Sequence, residues 1–255
     1  MNYVISADTD KGIRKETNQD SLSVKLINTP FGKAVFAIMC DGMGGLEKGE
    51  LASATVVEAY NEWLLSDFPS LCQNGIDEDL IIGSWELIAK ESNRRIMSYG
   101  CDINANIGTT AAVMLMTEEK YIVMNVGDSR IYEIFGGVRQ ITKDQTVVAR
   151  EIELGRLTPE QAYEDPRRSV LLQCIGASET LEPEFFIGKT VNGAVYILCS
   201  DGFVHEIAEE EMLEAFSTDD ACDSEKMKRN IRMLIELNKA RLEQDNISVI
   251  AIRTY

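Results

Sequence analysis

Two apolar runs constrain this chain more than any other feature: AVFAIMC (34–40) and AVYILCS (194–200), stopped by the pairs Asp41-Gly42 and Asp201-Gly202. Their β-rich composition and the turn formers that bound them fit strands, and both fall far short of the ~20 apolar residues that a membrane-spanning helix needs. The pattern recurs. Asp128 lies in NVGDS between two further strand-like runs, Asp20 in TNQDS opens the second strand, and Asp245, followed by Asn246, precedes the last run, ISVIAIR.

A single Asp-Gly pair is ordinarily a turn. Five aspartates at strand ends are different, because strand ends on one edge converge and packed carboxylates repel unless a cation neutralises them. Oxygen ligands without histidine or cysteine select Mg²⁺ or Mn²⁺, with Ca²⁺ as a further option. Several carboxylates can hold two ions roughly 3.5–4 Å apart, which activates water and clamps the reacting oxygens of a phosphoryl displacement. The glycines behind Asp41 let backbone approach such ions. The residues therefore point to phosphate-ester hydrolysis.

The rest of the chain narrows the setting. A net charge of −17 and a pI near 4.5 disfavour a nucleic-acid backbone or an anionic membrane as main partner. With 45% hydrophobic residues in 255 there is ample material for one core. No basic start followed by an apolar block reads as a signal peptide, so a cytoplasmic protein is expected. Six cysteines (Cys40, Cys72, Cys101, Cys174, Cys199, Cys222) form no C-x-x-C pair and read as reduced thiols. His205 is the only histidine, which argues against a zinc site of the usual ligands. DTDKG (8–12) begins like a calcium loop, but its glycine comes one place early and Gln19 stands where a glutamate is required. No phosphate-binding glycine loop or serine-nucleophile motif occurs.

Strands are expected at Asn2–Ala7, Asp20–Ile27, Ala34–Cys40, Thr110–Met116, Tyr121–Val126, Arg130–Phe135, Ala194–Cys199 and Ile247–Arg253. YIVMNV and RIYEIF, separated by Gly-Asp-Ser, suggest an antiparallel hairpin with Asp128 in its turn. Helical periodicity marks Leu51–Leu65, with Val56, Tyr60, Trp63 and Leu64 on one face, and Ile81–Tyr99, with Trp85, Ile88 and Ile96. It also marks Ser224–Glu243, where Met227, Ile231, Leu234, Ile235 and Leu242 align away from most of its basic residues. This pattern predicts an α+β fold, with antiparallel sheets packed face to face and helices outside. Residues 144 to 178 form a polar insertion, a small subdomain or flap, in which Thr158-Pro159-Glu160-Gln161 offers a capping box and a proline at the first helical position. One domain, 1–255, is the simplest count.

The ordered set NQDS (18–21), CDGMGG (40–45), GTTA (108–111), VGDSRIY (126–132), LTPEQA (157–162), CSDGF (199–203) and QDNIS (244–248) resembles the bacterial metal-dependent serine/threonine phosphatases, the type 2C or PPM family. The resemblance spans essentially the whole chain. It implies a four-layer αββα sandwich around a binuclear Mn²⁺/Mg²⁺ centre, attack on phosphorus by a metal-bound hydroxide, and protein phosphoserine and phosphothreonine as substrates, in opposition to a Ser/Thr kinase. By motif, Asp41 would bridge the metals and Gly42 would offer its carbonyl; Asp201 and Asp245 would complete one ion, and Asp20 would act near the other. Asp128 matches a third, weaker metal site. The 144–178 insertion corresponds to the family's flap beside the active site.

Two positions depart from the family pattern. Lys15 stands where a phosphate-binding arginine is usual, with Arg14 one place earlier as a rival; lysine binds phosphate as a point charge and lacks the planar fork. Met43 stands where many eukaryotic members have a histidine proposed as general acid, so leaving-group protonation through water is inferred. His205 invites assignment as that acid, against its reading as a surface or capping residue. Glu209-Glu210-Glu211 read as the acidic first turn of a helix, and Cys40 and Cys199 as packing residues. Two other functions stay open: a catalytically silent binding module on the same fold, and a hydrolase of small phosphate esters. A monomer is the simplest assembly.

Overall fold

The computed structural model describes residues 1–44, 48–217 and 223–255. Gly45 of the CDGMGG motif and Cys222 lie outside the described residues. The elements run β1 (Tyr3–Asp10), β2 (Asp20–Thr29), β3 (Gly32–Gly44), α1 (Gly49–Ser66), α2 (Phe68–Leu71), α3 (Glu78–Ile103), β4 (Ile107–Thr109), β5 (Ala111–Met116), β6 (Lys120–Val126) and β7 (Arg130–Ile134). They continue with β8 (Val138–Gln140), α4 (Val147–Glu153), α5 (Pro159–Glu164), β9 (Glu184–Lys189), β10 (Val195–Cys199), α6 (Asp201–Val204), α7 (Glu209–Ala215), α8 (Ser224–Ala240) and β11 (Ile247–Thr254).

Two antiparallel sheets result. The first has the order β1-β11-β10-β7-β8; the second runs β2-β3-β5-β6-β9, with β4 paired to the end of β3. The run at 34–40 shows why they stack. Ala34, Phe36, Ile38 and Cys40 join the core under α1 and α3, while the alternate Val35, Ala37 and Met39 face the other sheet. A strand buried on both faces has no polar side to expose, so it reads as a continuous apolar run where a half-buried strand would alternate. The third core lies between the first sheet and α7 and α8, where Met227, Ile231, Leu234 and Ile235 meet Ile197, Cys199, Val249 and Ala251. The layers are therefore helix, sheet, sheet, helix, as expected.

The eight expected strands and three long helices are present, with ends shifted by a few residues. The hairpin between β6 and β7 is not. These strands belong to different sheets, and Gly127-Asp128-Ser129 is the crossover between them. Gly127 takes φ +95°, and a Cβ there would lie 2.6 Å from Thr110 Cγ2, so the chain crosses where only glycine fits. The last helix stops at Ala240; Leu242 sits beyond it at φ +69° and is 70% exposed, so it does not share the apolar face. The short strands β4, β8 and β9 lacked a legible pattern, because β8 and β9 are half-exposed and β4 has only three residues.

Other readings have structural counterparts. Thr158 and Gln161 form the reciprocal capping box of α5. Asp8 and Asp10 of DTDKG serve as structural anions on β1, facing Arg232 and Lys239 of α8 at 3.3 Å each. Five described cysteines are free, and only Cys101 among them is exposed.

Candidate metal centre

Asp20 and Asp41 are register partners where β2 opens, and β3 runs on past Asp41 to Gly44 instead of stopping there, so the second sheet delivers two carboxylates side by side. The first sheet delivers two more: Asp201, at the start of α6 directly behind β10, and Asp245, just before β11. Asp128 enters from the crossover between the sheets. Burial pushes the Asp41 carboxyl well above its ordinary range, and the charges of Asp20, Asp201, Asp245 and Asp128 push it further. All five predicted aspartates thus converge.

The local wiring explains why they meet. Asp41 is clamped by the GTTA motif: its N–H donates to Thr110 Oγ1 (2.9 Å), and its carbonyl accepts from Thr109 Oγ1 (2.9 Å) and the Thr110 N–H (2.9 Å). Thr110 Oγ1 lies 2.6 Å from Ser129 Oγ, which couples Asp41 to the crossover that carries Asp128. Asn246 ties the 11–19 loop to β11: its Oδ1 accepts from the Gln19 N–H (2.9 Å), and its Nδ2 donates to the carbonyls of Lys11 (3.0 Å) and Thr17 (3.1 Å). Gly42 packs backbone on backbone, since a Cβ there would lie 2.2 Å from the Gly49 carbonyl oxygen and 2.5 Å from that of Gln19.

The electrostatics are those of crowded anions in a dry site. Burial lifts the Asp20 carboxyl to about 7, against the pull of the Ser248 and Ser200 hydroxyls, neither of which closes a regular hydrogen bond to it. Burial, then Asp201 and Asp144, lift Asp128 to about 8, with Arg130 and His205 opposing. Burial also raises Asp201, with His205 opposing and Asp245 and Glu243 reinforcing. Lys15 supplies a counter-charge: its Nζ lies 2.7 Å from Asp245 Oδ1. Burial alone would lower Lys15, but that bond and the charges of Asp245, Asp41 and Asp201 raise it.

Among the described residues, no three carboxylate, thiol or imidazole side chains already stand together as a ready-made ligand set. Asp201 is turned toward His205, and Asp245 toward Lys15. The donor chemistry still fits a hard divalent cation. Every donor is oxygen, and both carboxylate oxygens of Asp20 and Oδ1 of Asp201 are buried with no hydrogen-bond partner. Buried carboxylate oxygens left unpaired are costly unless something cationic completes them.

The surroundings hold residues that sequence reasoning did not single out. A cleft of about 230 Å³ beneath α4 and α5 is lined by Asp128, Arg130, Asp144, Arg168, Asp201 and His205, among others. A second, of about 450 Å³, is lined by Arg14, Lys15, Arg168, His205 and Asp245, among others. Arg168 and His205 belong to both. Arg130 grips Asp144 through Nε (3.0 Å) and Nη2 (2.6 Å), and Gly127 and Gln145 exchange hydrogen bonds, which fixes the base of the 144–178 segment to the crossover. The sequence carried no local sign that Arg168, in DPRRS, reaches these clefts. Arg14 is exposed and Met43 pairs with Gly108 across β3 and β4.

A family model described as Protein phosphatase 2C matches residues 11–236. A putative protein phosphatase 2C-type of Streptococcus pyogenes is 29% identical over 97% of this chain and 96% of its own length. The serine/threonine protein phosphatase PstP of Mycobacterium tuberculosis is 30% identical over 96% of this chain, which spans 44% of that relative's length. Among solved structures, the catalytic domain of PstP in complex with two manganese ions aligns over 99% of both chains with a TM-score of 0.78 and 25% identity.

Proposed function

This chain belongs to the protein phosphatase 2C family, and from that premise we propose that it removes phosphate from phosphoserine and phosphothreonine in proteins, with divalent cations held by its converging aspartates. The observation that carries this reading is the set of buried, unpartnered carboxylate oxygens on Asp20 and Asp201, beside an Asp41 carboxyl that burial and the neighbouring aspartates push upward. Bound there, Mn²⁺ or Mg²⁺ would supply an activated water and neutralise phosphate charge.

Each residue then has a task. Asp41, whose backbone the GTTA threonines immobilise, and Gly42, through its carbonyl, would both hold the cations. Asp201, Asp245 and Asp20 would be the further carboxylate ligands, and Asp128 would serve a third, weaker site. Lys15 is the better phosphate ligand of the two candidates, because its ammonium already reaches Asp245 whereas Arg14 is exposed. Neither Met43 nor His205 is placed to protonate the leaving group: methionine has no proton to give, and both nitrogens of His205 face carboxylates. Water delivers that proton.

The 144–178 segment acts as a flap that selects protein substrates, and the single domain works as a monomer opposite a Ser/Thr kinase. Among the described residues no helix is long and apolar enough to cross a membrane.

The test is an assay of phosphothreonine peptides beside small phosphate metabolites, with Mn²⁺ and then with chelator. Peptide turnover that needs the metal and disappears in Asp245→Asn is expected. No peptide turnover under any divalent metal would sink the proposal, and faster turnover of the metabolites would move it to small phosphate esters.

A further inference from the structure

His205 and Glu243 tie together two aspartates that the sequence places far apart. His205 follows Asp201 by four residues, and its Nε2 lies 3.3 Å from Asp201 Oδ2. On the other side of the ring, Nδ1 lies 3.2 Å from Oε2 of Glu243, whose side chain is only 6% exposed. The second oxygen of Glu243, Oε1, accepts from the N–H of Gln244 (2.7 Å) and from the N–H of Asp245 (2.8 Å). One buried carboxylate therefore fixes both the imidazole that faces Asp201 and the backbone that presents Asp245.

The consequence at Asp201 is asymmetric. Oδ2 is taken by the imidazole, and Oδ1 is buried without a partner. An aspartate held by one oxygen presents the other in a fixed direction, which is what a ligand needs from the shell behind it. A separate bond, Asn238 Nδ2 donating to the Phe203 carbonyl at 2.8 Å, already joins α6 to the end of α8.

We infer that His205 and Glu243 are a positioning pair that orients Asp201 and Asp245 for cation binding. The inference rests on the cation reading of the aspartates given above. His205 acts from behind the ligand and touches neither substrate nor leaving group.

The experiment is calorimetric titration of Mn²⁺ into the full chain and its variants. His205→Asn keeps an amide near Glu243 but is too short to reach Asp201, and it should weaken Mn²⁺ binding about ten- to a hundredfold. Glu243→Gln should weaken it by a similar factor. His205→Gln places its amide nitrogen near the position of Nε2 and should stay within about threefold of the parent. Hydrolysis of an aryl phosphate by His205→Asn should recover as Mn²⁺ is raised, so that the loss falls on metal affinity and spares most of kcat. Parent-like titration of His205→Asn, or equal losses in the Asn and Gln variants, would overturn the inference. Asp41→Asn is the control for the underlying reading: if it too binds Mn²⁺ as the parent does, the cation site itself is wrong, and the inference falls with it. Should His205→Asn fail to fold, as read by circular dichroism of the metal-free protein, Glu243→Gln decides by the same criterion.

Discussion

Asp20 and Asp41 stand directly opposite one another in the β2–β3 pairing, two carboxyls at a position where opposed strands bring side chains closest. Burial and neighbouring carboxyls raise both, which costs stability at neutral pH, so replacing Asp41 removes that cost and a proposed ligand in the same step. Asp41→Asn should therefore raise the Tm of the metal-free protein by roughly 2–4 °C, the shift expected from about 1 kcal/mol in a chain of this size. Its Mn²⁺-dependent turnover should fall at least about 100-fold. Scanning calorimetry in chelator, beside a phosphopeptide assay, checks both; a lower metal-free Tm would show that the pair is not repulsive.

Lys15 and Arg14 are neighbours with different reach. Lys15 is anchored on Asp245, whereas Arg14, which lines the same cleft, is exposed. At saturating Mn²⁺, Lys15→Ala should raise KM for a phosphothreonine peptide about tenfold, the loss of one charge-assisted contact, and Arg14→Ala less than about threefold. Equal effects in steady-state kinetics would assign phosphate binding to both.

Gly42 has no room for a side chain. Its nearest neighbours are the backbone carbonyls of Gly49 and Gln19, at 2.2 and 2.5 Å from any added Cβ, and neither can swing aside as a side chain would. Gly42→Ala should cost about 2 kcal/mol or more through a shift of β3 against α1. Urea unfolding in chelator measures this apart from any effect on metal; an unchanged midpoint would refute the close approach.

Just past the end of α8, Arg241 holds Glu211 with two bonds of 2.7 and 2.6 Å, and Glu211 also accepts from the Ala208 N–H. The Arg241 bond, then the Ala208 bond, lower the Glu211 carboxyl from 4.5 to about 2. The folded form thus binds fewer protons than the unfolded chain between those values, so this contribution is complete above about pH 4.5 and is lost as pH falls toward 2. The Tm gap between the parent and Glu211→Gln should be small, at most about 2 °C because the pair is exposed, and should close across that acid range. A gap that persists at pH 2 would assign it to packing.

Much of this architecture was legible residue by residue. The runs at 34–40 and 194–200 announce strands buried on both faces, since alternate residues of β3 serve two different cores. The amphipathic faces of α1, α3 and α8 follow from 3.6-residue periodicity, and the aspartates at strand ends stand out because charge is rare beside such runs. Legibility failed where the deciding partner was remote. The hairpin expected from YIVMNV and RIYEIF rested on their closeness in sequence, yet Gly127 sends β7 into the other sheet, where it pairs with β10. Leu242 fits the helical period of α8 but falls after the helix has ended.

By itself, the sequence determined the long strands and helices and the carboxylates beside them, because those properties depend on local backbone preference and apolar spacing. Only the tertiary structure decided which strands share a sheet, that Asp20 faces Asp41, that Glu243 and His205 stand behind Asp201 and Asp245, and that Arg168 reaches both clefts. Those relationships arise from hydrogen bonds and packing between residues tens to hundreds of positions apart, and no local pattern encodes such a partner.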